Sequence, residues 1–319
     1  MGARRAGSSP TTGSRAVTDA YTVRVAAPAK VNVFLRILAR EESGYHQIET
    51  FYRAVDFCDA IELHRTERGV SIEVLGPSVG PEEENLAYRA AKALLDAAGL
   101  PTGVHIRLTK NIPVGAGLGG GSSDAGATLR ALNVLLEEPV SASALLQIAG
   151  ELGADVPFFA LGAGAALGWG RGERLLPIPG AHVWPVLLAL PSLHISTAEA
   201  YQCLSVPERI TPVSLALDTL GRPETVAALA ANDFEAGVFE RHPELGKLRE
   251  ALHEAGALTA RLSGSGAALF GLFNDREEAD RARASLSVSW VDVRFVVTET
   301  MTSQPEPVPA VGQSIGGVG

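Results

Sequence analysis

"PVGAGLGGGSSDAGATL", Pro113–Leu129, decides how the rest of this chain is read. Gly115, Gly117, Gly119, Gly120 and Gly121 lead into Ser122, Ser123 and Asp124, and an Ala/Leu helix pattern follows to about Leu136. Glycines let bare main-chain amides approach an anion and adopt positive φ. Ser122, Ser123 and Asp124 stand where an N-cap belongs, and the helix behind them offers its N-terminal amides and dipole to a phosphate. The hydroxyl of Ser122 or Ser123 is also suited to Mg²⁺. Three other readings compete. A dinucleotide fingerprint, GxGxxG, is formally present at Gly115, Gly117 and Gly120, but it should follow a buried parallel strand, where Pro113 would remove a ladder donor. A GxxxxGK[ST] phosphate loop fails because Gly121 stands where Lys must be. The last is a flexible turn capped by serine. The pattern favours a phosphate cradle.

Working outward, the 319 residues are 46% hydrophobic and 6% aromatic, enough for a sizeable core built mostly of Ala, Val and Leu. The net charge of −9 argues against nucleic acid or an anionic membrane as partner. Cys58 and Cys203 are isolated, which fits a reducing cytoplasm better than a disulfide scaffold. No window is long and apolar enough for a membrane span. Residues 1–20 are Arg/Ser-rich and read as a disordered tail, and residues 302–319, rich in Pro and Gly, read the same way.

Strand patterns fall at 21–28, 31–39, 48–57, 60–65, 70–76 and 104–110, with later ones at 183–191, 268–273 and 291–299. Helix patterns cover Leu86–Ala98, closed by Gly99 and Pro101, and about 143–152, 197–204, 224–231, 244–255 and 276–286. Strands come in consecutive runs, so the expected class is α+β with mixed or antiparallel sheets. The Gly-dense stretch 162–174 suggests a boundary. It divides the chain into an N-terminal domain, 21–165, and a C-terminal domain, 166–301, which the resemblance drawn next implies to be an ATP-binding and a substrate-side domain with the active site in a cleft between them.

Two further stretches become legible beside the loop: "APAKVNVFLRILAREESGYHQIET", Ala27–Thr50, and "RLSGSGAALFG", Arg261–Gly271. The three together resemble the motifs of the kinase superfamily that includes galactokinase, homoserine kinase, mevalonate kinase and phosphomevalonate kinase. "PAKVN" followed by "GYH", "GLGGGSSDA" and "LGADVPFF" (Leu152–Phe159) resemble, within it, the family that phosphorylates 4-diphosphocytidyl-2-C-methyl-D-erythritol. The superfamily loop more often reads GLGSS; the two extra glycines are typical of this narrower family. The resemblance covers about Val23–Thr298 and implies ATP and Mg²⁺ as cofactors, a small-molecule alcohol carrying a cytidine diphosphate as substrate, and a monomer or homodimer. A same-fold kinase for homoserine or a mevalonate derivative, or a non-catalytic nucleotide-binding protein of this fold, are the alternatives.

Phosphoryl transfer to an alcohol needs a cradle for ATP, neutralisation at the γ-phosphate and a group to take the hydroxyl proton. The cradle is Pro113, Val114, Gly115, Ala116, Gly117, Leu118, Gly119, Gly120, Gly121, Ser122 and Ser123. Asp155 reads from sequence equally as a turn or helix-cap residue and as a base; the resemblance makes it catalytic. Lys30 sits in an apolar strand pattern, where an unpaired ammonium is costly, and is its natural partner. Asn32 shares the strand face of Lys30 and reaches the substrate or Asp155. The resemblance assigns Tyr45 and His46 to the cytidine end, Thr197 and Tyr201 to nucleotide contacts, and Asn85, Leu86 and Lys110 to the adenine pocket. Asn85 is equally a good N-cap. The second glycine turn, Ser263–Gly266, offers Gly264, Ser265 and Gly266 to the substrate's phosphates; its other reading is a hairpin turn.

Overall fold

The structure is a computed structural model that describes residues 22–42, 44–77, 80–204, 220 and 222–310. The first proposed tail, 1–20, lies outside them. The strands are β1 (Thr22–Arg40), β2 (His46–Thr66), β3 (Gly69–Leu75), β4 (Gly103–Thr109), β5 (Ala165–Gly170), β6 (Arg174–Pro177), β7 (Pro185–Pro191), β8 (Ala231–Asn232), β9 (Thr259–Leu262), β10 (Leu269–Leu272), β11 (Val293–Glu299) and β12 (Val308–Ala310). The helices are α1 (Leu86–Ala98), α2 (Gly120–Leu135), α3 (Ala142–Leu152), α4 (Val156–Leu161), α5 (Thr197–Gln202), α6 (Pro223–Leu229), α7 (Glu235–Arg241), α8 (Pro243–Glu254) and α9 (Arg276–Ser289).

Two sheets organise these elements. The larger runs β12-β1-β2-β4-β3, with β5 and β6 branching from β2 and β8 pairing with β1; the smaller runs β11-β7-β10-β9. Pairing is antiparallel except β3–β4 and β1–β8. The expected α+β class with mixed and antiparallel sheets is therefore the observed one. The two strand patterns expected at 21–28 and 31–39 are one strand, β1, with register shifts at Pro28/Ala29, Asn32/Phe34 and Ile37/Ala39. Such bulges bend a strand and re-aim its side chains.

The helix α1 runs over the residues its pattern predicts. Asn85 Oδ1 accepts from the Ala87 amide and Gly99 closes the helix at φ 62°. Its buried Ala87, Ala90, Ala91, Leu94 and Leu95 form one stripe. That stripe packs on α2 in a core whose buried members are all Ala, Val, Ile or Leu. The large aromatics are buried elsewhere: Phe158 and Phe159 lie with Tyr52, and Trp184, Phe34 and Phe51 sit where the two sheets approach. A Cβ on Gly126 of α2 would lie 2.5 Å from Phe159 Cβ, so α2 and α4 touch only because residue 126 is glycine.

Two boundaries move. A division at 165/166 would detach β5 and β6, which pair with β2 and complete the larger sheet. Residues 302–310, read as tail, are held to α4 and to β1 of the larger sheet. Gln304 is 2% exposed, and its side-chain amide satisfies the carbonyls of Phe158 and Ala163. The strand β12 then pairs with β1. Proline and glycine content misled here because the segment is anchored by single polar contacts that carry no periodicity. Residues 311–319 lie outside the described part.

Candidate active site

A cleft of about 690 Å³ opens between the sheets. Its floor is a cross-strand polar cluster. Lys30 and Asn32 on β1 face Thr50 and Tyr52 on β2, with Asn32 directly opposite Tyr52. Lys30 is 3% exposed, and its ammonium donates to Asn32 Oδ1 at 2.6 Å. Asn32 Nδ2 donates to Thr50 Oγ1 at 2.8 Å, which itself donates to the Phe34 carbonyl. Asp155 stands across this floor, with Oδ2 3.6 Å from Lys30 Nζ and Oδ1 accepting from Tyr52 OH at 2.9 Å. Asp155 occupies the N-cap position of α4 but its side chain caps nothing there. Local structure thus makes no use of the carboxylate, which is a third exposed toward the cleft. Burial pushes the Lys30 ammonium below its ordinary value, and the Asp155 charge opposes that only in part. Burial, with the Asp155 charge adding to it, raises Tyr52 well above the usual phenol range, so its hydroxyl stays a donor.

The glycine loop forms one wall. Gly115, Gly117 and Gly119 have φ of 70°, 77° and 71°. Gly117 also has no room for a Cβ, which would lie 2.1 Å from the Ser263 carbonyl oxygen. The helix α2 starts at Gly120, with Gly119 as its N-cap and no side-chain cap. Ser122, Ser123 and Asp124 therefore lie inside the helix, a correction to their expected capping role: the left-handed Gly119 makes the entry. Among the described residues, the main-chain N–H groups from Gly117 to Ser122 have no protein acceptor. Gly121 is exposed and the others are buried or half-buried; a run of unpaired amides of this kind has the donors an anion needs.

The cleft collects most of the expected residues: Lys30, Asn32, Asn85, Leu86, Lys110, Pro113 to Gly117, Gly119 to Ser122, Asp155, Thr197, Tyr201, Gly264 and Ser265. Five expected residues are absent from its wall. Leu118 is 1% exposed in the apolar core. Ser123 is buried, and its hydroxyl donates to the Pro28 carbonyl at 2.6 Å, so it faces β1. Gly266 turns its amide inward to the Ser263 carbonyl. His46 and Tyr45 stand at the rim. His46 stacks on Tyr201 with centroids 4.6 Å apart, and Tyr201 meets Phe234 edge-on. Tyr45 is exposed, with the Arg171 guanidinium 3.9 Å from its ring centre.

Lys110 is at the cleft but already neutralised. Its ammonium bonds Asp59 and, at 2.7 Å, Asp124. Asp59, fully buried, also accepts from the Asn111 and Ile112 amides. A free cation for a nucleobase is thus not what this lysine presents. Sequence reading missed Tyr52, Asp59, Arg171, His194 and Asn232. Asn232 anchors the second glycine turn by donating to the Leu262 and Gly264 carbonyls, both at 2.8 Å. Each is a single polar residue brought in from a distant element, with no spacing to mark it.

Family models for the GHMP kinase N-terminal and C-terminal domains match residues 85–163 and 215–292. The chain is similar to a 4-diphosphocytidyl-2-C-methyl-D-erythritol kinase of Solibacter usitatus (strain Ellin6076), 42% identical over 269 residues, covering 80% of this chain and 83% of that one. It is 39% identical to the kinase of that name from Syntrophus aciditrophicus (strain SB), over 83% of this chain and 94% of that one. A solved 4-(cytidine 5'-diphospho)-2C-methyl-D-erythritol kinase superposes with a TM-score of 0.74 at 37% identity, covering 87% of this chain and 98% of that one. A homoserine kinase from Cytophaga hutchinsonii, 21% identical, shares the fold with a TM-score of 0.71, over 94% of this chain and all of that one.

Proposed function

The chain belongs to the 4-diphosphocytidyl-2-C-methyl-D-erythritol kinase family of the GHMP kinases, and from that membership and the cleft we infer how it works. It is an ATP-dependent phosphotransferase acting on an alcohol, the kinase of the non-mevalonate route to isoprenoids. We propose that the acceptor is the 2-hydroxyl of 4-diphosphocytidyl-2-C-methyl-D-erythritol. The triphosphate lies on the unpaired amides of Gly117–Ser122 and on the α2 dipole. Asp155 takes the hydroxyl proton as that oxygen attacks the γ-phosphorus and the bond to ADP breaks. Lys30, held by Asn32, neutralises charge at the reacting oxygens. Tyr52 fixes the carboxylate.

Mg²⁺, when bound, neutralises the β- and γ-phosphates. Ser122 lines the cleft at the first turn of α2 and fits a ligand's place, whereas Ser123 is committed to Pro28. The cytidine end is assigned to the His46–Tyr201 stack and to Tyr45, with Thr197 and Ser265, whose hydroxyls are 3.4 Å apart, between it and the reacting centre. The two unpaired thiols, Cys58 and Cys203, suit the cytoplasm, where we place the enzyme.

The observation that carries this reading is Asp155 beside Lys30, a carboxylate with no local structural use at the end of an amide nest. The test is Asp155→Asn in an assay panel with the cytidyl substrate, homoserine and mevalonate. Turnover of the cytidyl substrate is expected to fall at least about 10²-fold while ATP still binds. Near-normal turnover would remove Asp155 as the base, and a preference of the wild type for homoserine or mevalonate would remove the substrate assignment.

A further inference from the structure

His194, in the segment between β7 and α5, packs across the cleft against the glycine loop. A Cβ built on Gly115 would lie 2.2 Å from His194 Cε1 and 2.5 Å from Nδ1, but 3.5 Å from Nε2. The Cε1–Nδ1 edge of the ring thus rests on the Gly115 backbone, and Nε2 is the nitrogen turned away from it. Gly115 is therefore glycine for two reasons, its φ of 70° and the ring in the space its side chain would fill. Among the described residues the imidazole has no hydrogen-bond partner. It lines the cleft with Pro113, Val114 and Gly115 on one side and Ser196 and Thr197 on the other.

The charges around the cleft say what that ring is for. A triphosphate and a substrate diphosphate must both be held. Lys30 serves the reacting centre beside Asp155, but Lys110 is shared by Asp59 and Asp124, and Arg171 is paired with Glu41 at the rim. Among the described side chains of the cleft wall, the exposed His194 imidazole lies against the loop with no protein acceptor for its N–H; the Asn85 side-chain amide, whose Oδ1 caps α1, is the other N–H donor without one.

We propose that His194 is a phosphate-binding residue: its imidazole N–H donates to a phosphoryl oxygen seated at Gly115, either of the ATP triphosphate or of the substrate's diphosphate. This rests on the kinase reading and adds a contact that the three sequence motifs do not contain. The glycine loop is thereby reached by His194 as well as by the main-chain bond from Ala268 N–H to Ala116 O and the side-chain bond from Ser263 Oγ–H to Gly117 O.

The experiment is calorimetric binding, without turnover, of a non-hydrolysable ATP analogue and, separately, of CDP. His194→Phe keeps a ring over Gly115 and removes the donor; His194→Gln keeps a donor and loses the ring. The phenylalanine variant is expected to melt with the wild type and to bind one of the two probes about tenfold more weakly, the loss of one phosphate hydrogen bond. His194→Gln should stay within about threefold of wild type for that probe, because it retains an N–H. The weakened probe identifies which phosphate the ring serves. If His194→Phe binds both probes like the wild type, the ring is a spacer and the proposal is wrong. A wild type that binds neither probe would overturn the nucleotide reading itself, a distinct outcome.

Discussion

Two of the four lysines in this chain lie within reach of the same loop, and their surroundings are opposite. Lys30 has one carboxylate, at 3.6 Å, and a neutral Asn32. Lys110 has two carboxylates in direct hydrogen bonds. Both ammonium groups are desolvated. For Lys30 desolvation wins and its affinity for the proton falls; for Lys110 it is outweighed by Asp124 and Asp59 and the affinity rises. One site is short of negative charge and the other has it in excess. The first is the one that the proposed function completes with an arriving phosphate. The second is complete without a ligand, and it ties the β4 end to β2 and α2 beneath the cradle. A lysine beside the loop is thus left open to a further anion or closed as an internal tie according to how many anions the fold already supplies.

The sharpest way to break this contrast is to remove each ammonium. Lys110→Met leaves Asp59 and Asp124 buried without their cation, and breaking such a cluster typically costs about 3–5 kcal/mol. The expected result is a large drop in melting temperature. Lys30→Met should lose turnover by at least about 10²-fold while its thermal stability stays near wild type, since the group it removes is disfavoured by burial. A circular-dichroism melt and a steady-state assay on both variants suffice. Equal stability losses would show that Lys30 is also an internal tie.

A smaller effect sharpens the first site. Tyr52 OH holds Asp155 Oδ1, and a Cβ at position 172 would come within 2.5 Å of that hydroxyl, so Gly172 keeps its place open. Tyr52→Phe should lower kcat about tenfold, the order of one hydrogen bond to a charged group, with both Michaelis constants little changed. A rise in either constant at constant kcat would make Tyr52 a substrate contact and remove its positioning role.

The sequence made one half of this picture readable and hid the other. Lys30 announced itself as a charge inside an apolar strand, and the glycine run announced its positive-φ backbone by composition alone. α1 was readable to its ends, because Asn85 and Gly99 are local signals. Asp59 and Asp124 were not, because each looks like an ordinary acidic residue until β2, β4 and α2 are packed together. The same holds for the tail: Gln304 and Arg130 secure residues 302–310 through contacts 141 to 175 positions away. Ser123 failed for a different reason. Helix phase from a left-handed Gly119 turns its hydroxyl to Pro28, and one residue's error in the helix start reverses which serine faces the cleft. Periodicity and caps report nearest neighbours; the polar ties that place a site are long-range.

The smallest and most specific consequence concerns pH. Both oxygens of Asp59 are engaged, Oδ2 by Lys110 and Oδ1 by two amides, whereas Asp124 keeps one buried oxygen with no partner. With one cation between two carboxylates, Asp124 is the member that resists ionisation, and burial raises it from 3.8 to about 7. The folded state then binds a proton that the unfolded state has lost across the window from about 4 to about 7. Within it the folded chain holds more protons than the unfolded one, so this group makes stability fall as pH rises and has no further effect above about 7. Asp124→Asn mimics the protonated form at every pH. The melting temperature of Asp124→Asn minus that of the wild type should therefore grow from pH 5 to pH 7 and then level off, and subtraction cancels the other titrating groups. A difference that stays constant over the window would mean that Asp124 is ionised throughout. The cation would then be satisfying both carboxylates, and the excess of negative charge that separates Lys110 from Lys30 would not exist.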